Sequence, residues 1–260
     1  MGIITIEDYL FEKIDLIKGD IEDSIVPLHN YGDPYVPFIG SALYIAIGNN
    51  QFLITANHII GSLSTKISIP KQTEPQNFSF IGDSSIEKDF SFTKLEKPLE
   101  IFKPINVNNL MLKNKNTSSL FLAVGYPETK VEQYHKTIKT TLEIFITNEC
   151  GKEDYILSKA KSIYNIVTRF IPKEIKKKGN KDTQLPFPNG MSGGGLFKIS
   201  DQILFRDTKP ELVGLLTRWD VENKKNMIST KIEYILAGIK HVYPDIELEN
   251  DIVNSIKVNN

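Results

Sequence analysis

The sequence predicts a mainly β fold, a sandwich or barrel, with a helix at each end. Two observations carry this. Short runs rich in β-branched and aromatic residues recur between turn residues, and 3.6-residue apolar periodicity is clear only near the termini. No glycine-rich loop opens a helix to cradle a phosphate, and no repeat of 20–50 residues is visible.

Taken in order, residues 5–18 read as a short helix, with Glu7 and Asp8 early, Lys18 late, and Tyr9, Leu10, Ile14 and Ile17 near helical spacing. Gly40–Ile47 and Gln51–Ala56 flank the turn Gly48-Asn49-Asn50 and form a β-hairpin. Further strands are expected at Lys66–Ile69, Phe78–Ile81, Phe90–Leu95, Ser119–Val124, Thr137–Ile146, Tyr155–Leu157, Ile163–Ile166, Gly195–Ile199 and Leu212–Leu216. Thr230 and Glu233 make a capping box before Ile232, Ile235, Leu236 and Ile239, the strongest helix pattern in the chain. Tyr243-Pro244-Asp245 stops it, and a polar tail follows.

The 260 residues carry 31 Lys+Arg against 32 Asp+Glu, a formal net charge of −1. This balance argues against a general nucleic-acid or acidic-membrane binder, which needs a basic excess. The basic stretch Lys173–Lys181 contains Gly179 and Asn180 and reads as a solvated loop. No apolar run reaches the 18 or so residues of a membrane span. The N-terminus lacks the basic and apolar regions of a secretory signal. With a single cysteine, Cys150, read as an inert thiol, the expectation is a soluble cytoplasmic protein.

Three local patterns carry chemistry together. Leu53–Ile60 is a strand whose end delivers His58 beside small and polar residues; His29, His135 and His241 lack that setting. Asp89 stands immediately before the alternating run Phe90–Leu95. As a turn residue it is unremarkable, but a buried Asp accepting from a His ring N–H would fix the imidazole tautomer. Pro188-Asn189-Gly190-Met191-Ser192-Gly193-Gly194-Gly195 crowds glycines around one serine before an apolar strand. Such a backbone leaves N–H groups free to point outward, and Gly190 and Ser192 are candidate oxyanion donors.

Thr55-Ala56-Asn57-His58, Asp89-Phe90-Ser91-Phe92 and Gly190-Met191-Ser192-Gly193-Gly194 resemble the His, Asp and Ser motifs of the trypsin-like (chymotrypsin-fold) serine peptidases, of bacterial intracellular type. Their order agrees with that family, and Gly125-Tyr126-Pro127 and Leu212–Thr217 resemble its second-barrel strands. The likeness covers roughly residues 36–240. It implies an all-β fold of two antiparallel Greek-key β-barrels with a short N-terminal and a C-terminal helix. The domains would be an N-terminal helix and lead-in (1–35), a first barrel with His58 and Asp89 (36–115), a second with Ser192 (116–228), and a C-terminal helix and tail (229–260).

The resemblance further implies a catalytic triad of His58, Asp89 and Ser192, an oxyanion hole from Gly190 and Ser192, and no metal or cofactor. Thr217, Arg218 and Trp219 would form the wall that pairs with an extended polypeptide substrate. Trp219 would either close the primary pocket or cover the core, and Arg218 would either meet an acidic residue or stay solvated. Pro186, not an acid, falls near the pocket floor. Met191 stands where many relatives carry an acid that pairs with a new N-terminus, so activation by N-terminal processing is not expected. The site is then either constitutively formed or ordered by an activating protein partner or ligand. Alternatives are a regulated or inactive peptide-binding module on the same fold, and a simple esterase.

Overall fold

The computed structural model describes residues 13–14, 16–19, 21–30, 37–61, 67–68, 78–107, 120–134, 137–170, 186–199, 210–220 and 225–248. Its strands lie in two main sheets that follow one another along the chain. The first holds β1 (Ile25–Asn30), β2 (Phe38–Ile47), β3 (Asn50–Thr55), β4 (Ile67–Ser68), β5 (Ile81–Asp83), β6 (Phe90–Lys94) and β7 (Ile105–Asn106). Their order is β4-β1-β2-β3-β6-β5, antiparallel, with β7 parallel to β2.

The second sheet holds β8 (Leu120–Gly125), β11 (Glu143–Asn148), β12 (Asn165–Arg169), β13 (Gly195–Lys198), β14 (Glu211–Trp219) and β15 (Asn226–Lys231), in the antiparallel order β11-β8-β13-β14-β15-β12. β9 (Val131–Tyr134) and β10 (Thr137–Thr140) form a separate hairpin. A bridge between Glu149 and Thr168, and the Cys150 N–H donating to Val167 O at 2.8 Å, bring the β11 and β12 edges together. The expectation of a mainly β, antiparallel chain holds.

Beyond the N-terminal helical residues, the α-helices among the described residues are α1 (Asn57–Gly61), α2 (Lys152–Leu157) and α3 (Ile232–Val242). One apolar cluster runs through both sheets, from Ile25, Leu43 and Phe52 to Val124, Phe197 and Leu215. α3 seals it with Ile232, Ile235, Leu236 and Ile239, all fully buried at the expected i, i+3, i+4, i+7 spacing. Each such side chain contributes about 1.5–3 kcal/mol of apolar transfer. Although α3 follows the second sheet, it reaches the first: a Cβ on Gly238 would sit 3.2 Å from the Phe90 ring, and Tyr243 packs on Phe52 and Phe92.

Several elements differ from expectation. Tyr155–Leu157 is not a strand but the end of α2, which Glu153 and Asp154 favour at its positive first turn. Only Tyr155 of that trio is inward; Ile156 and Leu157 are exposed, which is helical rather than alternating burial. The capping box also fails. Thr230 belongs to β15 and its hydroxyl donates to Lys88 O, so Lys231 precedes the helix with no side-chain cap. The expected strand Thr137–Ile146 divides at Thr141-Leu142 into β10 and β11, and Phe78–Ile81 yields to β5.

Near the N-terminus, residues 13–14, 16–19 and 21 are helical, and Ile14, Ile17 and Ile21 are buried. Tyr9 and Leu10, His135, the basic stretch 173–181 and the tail beyond residue 248 lie outside the described residues. No helix among the described residues is long and apolar enough to cross a membrane.

Candidate active site

His58 is placed by the change from strand to helix after Thr55. The Thr55 hydroxyl donates to Ser41 O at 2.7 Å, fixing the end of β3, and the chain turns directly into α1. Asp89 is placed by a tight turn: the N–H groups of Lys88 and Asp89 both donate to Ser85 O, and Asp89 takes the left-handed region at φ 41°. Asp tolerates that conformation better than most residues.

The turn aims the Asp89 carboxylate at α1. Oδ1 accepts the His58 backbone N–H at 2.9 Å, and Oδ2 lies 2.7 Å from His58 Nδ1. Two contacts to two oxygens leave the imidazole little freedom. With its hydrogen on Nδ1 toward Asp89, the neutral ring presents Nε2 as its basic nitrogen. The acid is 14% exposed and the histidine side chain 51%, so the base is accessible while its orienting charge is sheltered. Asn57 N–H adds a bond to Asp89 O (3.3 Å), and Ser91 Oγ donates to Asn57 Oδ1 (2.5 Å).

Ser192 sits in a loop that glycine makes feasible. Gly190 and Gly193 have φ of 89° and 86°, where an L side chain is strained, and a Cβ on Gly193 would collide with Ser41 O and Thr55 Oγ1. Met191 N–H donates to Pro188 O, Gly193 N–H to Leu216 O, and Gly194 N–H to Met191 O. The N–H groups of Gly190 and Ser192, the two candidate oxyanion donors, have no acceptor among the described residues. Such unpaired donors are unusual away from solvent or a ligand.

Ser41 docks the loop against the first sheet. Its N–H donates to Ser192 O at 2.9 Å, its hydroxyl donates to Gly190 O at 3.2 Å, and the Ser41 Oγ accepts Tyr126 N–H at 3.0 Å. Gly40 lies between the Ile59 side chain of α1 and Ser192 O. The turn before Asp89 is tied to the second sheet as well, by Asn165 Nδ2 donating to Glu87 O (2.7 Å) and by the Lys161–Glu87 ion pair (2.9 Å). The Ser192 loop and the Asp89 turn are thus each tied across the seam between the sheets. The Ser192 hydroxyl donates to Thr217 O at 3.1 Å, and among the described residues it has no hydrogen bond to His58.

Thr217, Arg218 and Trp219 end β14, where the register with β15 shifts between Leu216 and Arg218. Thr217 is buried and its hydroxyl donates to Ile228 O. The Arg218 guanidinium is half-buried. It donates to the Ser158 and Lys159 carbonyls just after α2 (3.0 and 3.4 Å). Burial pulls it below its ordinary pKa, while the charges of Asp89, Asp220 and Glu87 pull it back up. Trp219 packs against Phe170 and Phe187, partly buried over the second-sheet core. Pro186 is buried beside Phe187, which is exposed.

Ser41 and the Ser158 and Lys159 carbonyls that follow α2 are the positions that sequence reasoning missed. Ser41 lies inside an apolar run, with no pattern to set it apart. Cys150 fits its expectation: buried and near Asn226 Oδ1, its thiol is pushed up to about 11 by desolvation, with Asp154 adding to the rise. Among the described residues no three His, Cys, Asp or Glu side chains converge as a metal site. No family model matches the chain, and no curated protein sequence matches it.

Proposed function

We propose that the chain is a serine endopeptidase of the chymotrypsin fold, its two sheets being the two Greek-key barrels of that architecture. The observation that carries the reading is the two-point contact of Asp89 with His58 at 2.9 and 2.7 Å, in a chain whose glycine-flanked Ser192 leaves its own N–H and that of Gly190 unpaired. An oriented base, a nucleophile and preorganised donors are what acyl transfer requires.

In this reading a side-chain rotation takes the Ser192 hydroxyl from Thr217 O to His58 Nε2. Catalytic hydrogen bonds are often unmade until substrate is bound. Ser192 Oγ then attacks the scissile carbonyl as His58 takes its proton, and Asp89 stabilises the imidazolium without being protonated. The tetrahedral oxyanion is received by the Gly190 and Ser192 N–H groups. His58 returns the proton to the leaving amine, leaving an acyl group on Ser192. Water, deprotonated by His58, cleaves that ester and restores the hydroxyl.

An organophosphonate probe tests the reading. Wild type is expected to be labelled at Ser192 and to cleave a peptide library, while Ser192→Ala is unlabelled and loses about 10⁶ in kcat. Absence of labelling in wild type overturns it; cleavage of esters but of no peptide points to an esterase instead. The Ser192–Thr217 bond also favours a second reading, a peptide-binding module whose nucleophile stays parked until a partner docks. Turnover of casein by the isolated chain sinks that second reading.

A further inference from the structure

We infer that Met191 is a positioning residue, an apolar anchor that holds the oxyanion loop in its working shape without any ion pair from a freed N-terminus. The inference deepens the peptidase reading and rests on it.

The Ser192 N–H belongs to the peptide unit that follows the Met191 Cα, and the Gly190 N–H to the unit that precedes the Gly190 Cα, so holding Met191 restrains the Ser192 unit directly and the Gly190 unit through the intervening glycine. The Met191 side chain is 1% exposed and belongs to the cluster of Phe145, Phe170, Leu196, Leu216 and Met227. Its backbone is gripped as firmly. The N–H donates to Pro188 O at 2.9 Å, and the carbonyl accepts Gly194 N–H at 2.8 Å. β8 presses on it from the other side: a Cβ on Gly125 would stand 3.1 Å from the Met191 Cα, Cβ and carbonyl oxygen.

With the Met191 backbone bonded on both sides and its side chain in the core, the flanking Gly190 and Ser192 N–H groups stay unpaired on a partly exposed stretch of the loop. A charged side chain at this position would need a buried partner of opposite sign. Methionine needs only the cavity it fills, and its flexible thioether adapts to an irregular one. The packing of the loop at Met191 therefore asks for no charged partner.

The test compares Met191→Ala with Met191→Leu, which keeps the volume and polarity. In Met191→Ala, kcat is expected to fall about 10²-fold, the scale of one lost oxyanion donor, with KM nearly unchanged. Met191→Leu is expected to restore kcat. Amide exchange supplies a readout independent of turnover: the Gly193 and Gly194 N–H groups, bonded to Leu216 O and Met191 O, lose protection in Met191→Ala and keep it in Met191→Leu. In addition, wild type carrying an N-terminal peptide extension is labelled by the organophosphonate as fast as the chain without it.

Unchanged kcat and unchanged protection in Met191→Ala overturn the anchor, as does labelling that appears only after the extension is cleaved. Both outcomes leave a labelled, active wild type and so spare the peptidase reading. A wild type that no probe labels removes that reading and this inference together.

Discussion

The two halves of the candidate site are held by opposite means. His58 and Asp89 are fixed by polar contacts between side chains and by one strained turn residue, with the imidazole half exposed. Ser192 is fixed by backbone bonds, two left-handed glycines and a buried Met191. The chemistry proposed for each half accounts for the contrast. An imidazole that gains and loses a proton needs access and an oriented partner, whereas backbone donors act only if they do not move at the moment of reaction. Polar substitutions on the first half should therefore affect rate, and steric substitutions on the second should affect folding.

The largest expected effect is on the polar half. Asp89→Asn retains a residue that accepts the left-handed conformation, so the turn survives. The amide NH₂ facing Nδ1, however, selects the tautomer with the hydrogen on Nε2, which cannot accept a proton from serine. We expect kcat to fall by about 10⁴ with little change in thermal midpoint. A drop in midpoint large enough to explain the lost activity would break the distinction between the halves.

Gly193→Ala probes the other half. The added methyl collides with the Ser41 carbonyl and the Thr55 hydroxyl while the backbone is held at φ 86°. Neither obstacle is a flexible side-chain end, because the Thr55 hydroxyl is itself bonded to Ser41 O. Strain and overpacking together predict a loss on the order of 3 kcal/mol, read as a lower urea midpoint at unchanged slope. A variant that keeps its urea midpoint but loses activity would mean the seam at Ser41 is looser than these contacts imply.

The same contrast explains what could be read from sequence. The Asp89 turn, the His58 strand end and the glycine loop were legible because each rests on local backbone chemistry written in consecutive residues. Ser41 was not, since the three bonds that dock the loop join it to residues 85 to 151 positions away along the chain. The Arg218 contacts are not legible in the sequence for a related reason. The acceptors follow α2, and α2 was read as a strand because Tyr155-Ile156-Leu157 is too short for periodicity to decide. The α3 stripe was plain at i, i+3, i+4 and i+7, yet the capping box before it was false, because β15 claims Thr230 first.

That lost cap sets up the smallest prediction, at a place where neither polar pairing nor apolar burial is complete. Glu233 lies in the first turn of α3, and its Oε2 is buried with no partner among the described residues. Burial pushes its carboxyl above the ordinary glutamate range, against smaller opposing effects of its own backbone and of Lys231. At low pH the group is neutral in folded and unfolded chains alike and costs nothing. As pH rises through the ordinary carboxylate range the unfolded chain ionises first, so stability falls until the raised folded pKa is passed and is constant above it. Glu233→Gln removes that loss. Its thermal midpoint is expected to match wild type near about pH 3.5 and to exceed it at about pH 7 by about 3 °C, corresponding to ~1 kcal/mol. A difference that does not change with pH would mean that shape, not charge, sets the cost at this position, and that α3 clamps the two sheets without penalty from its buried acid.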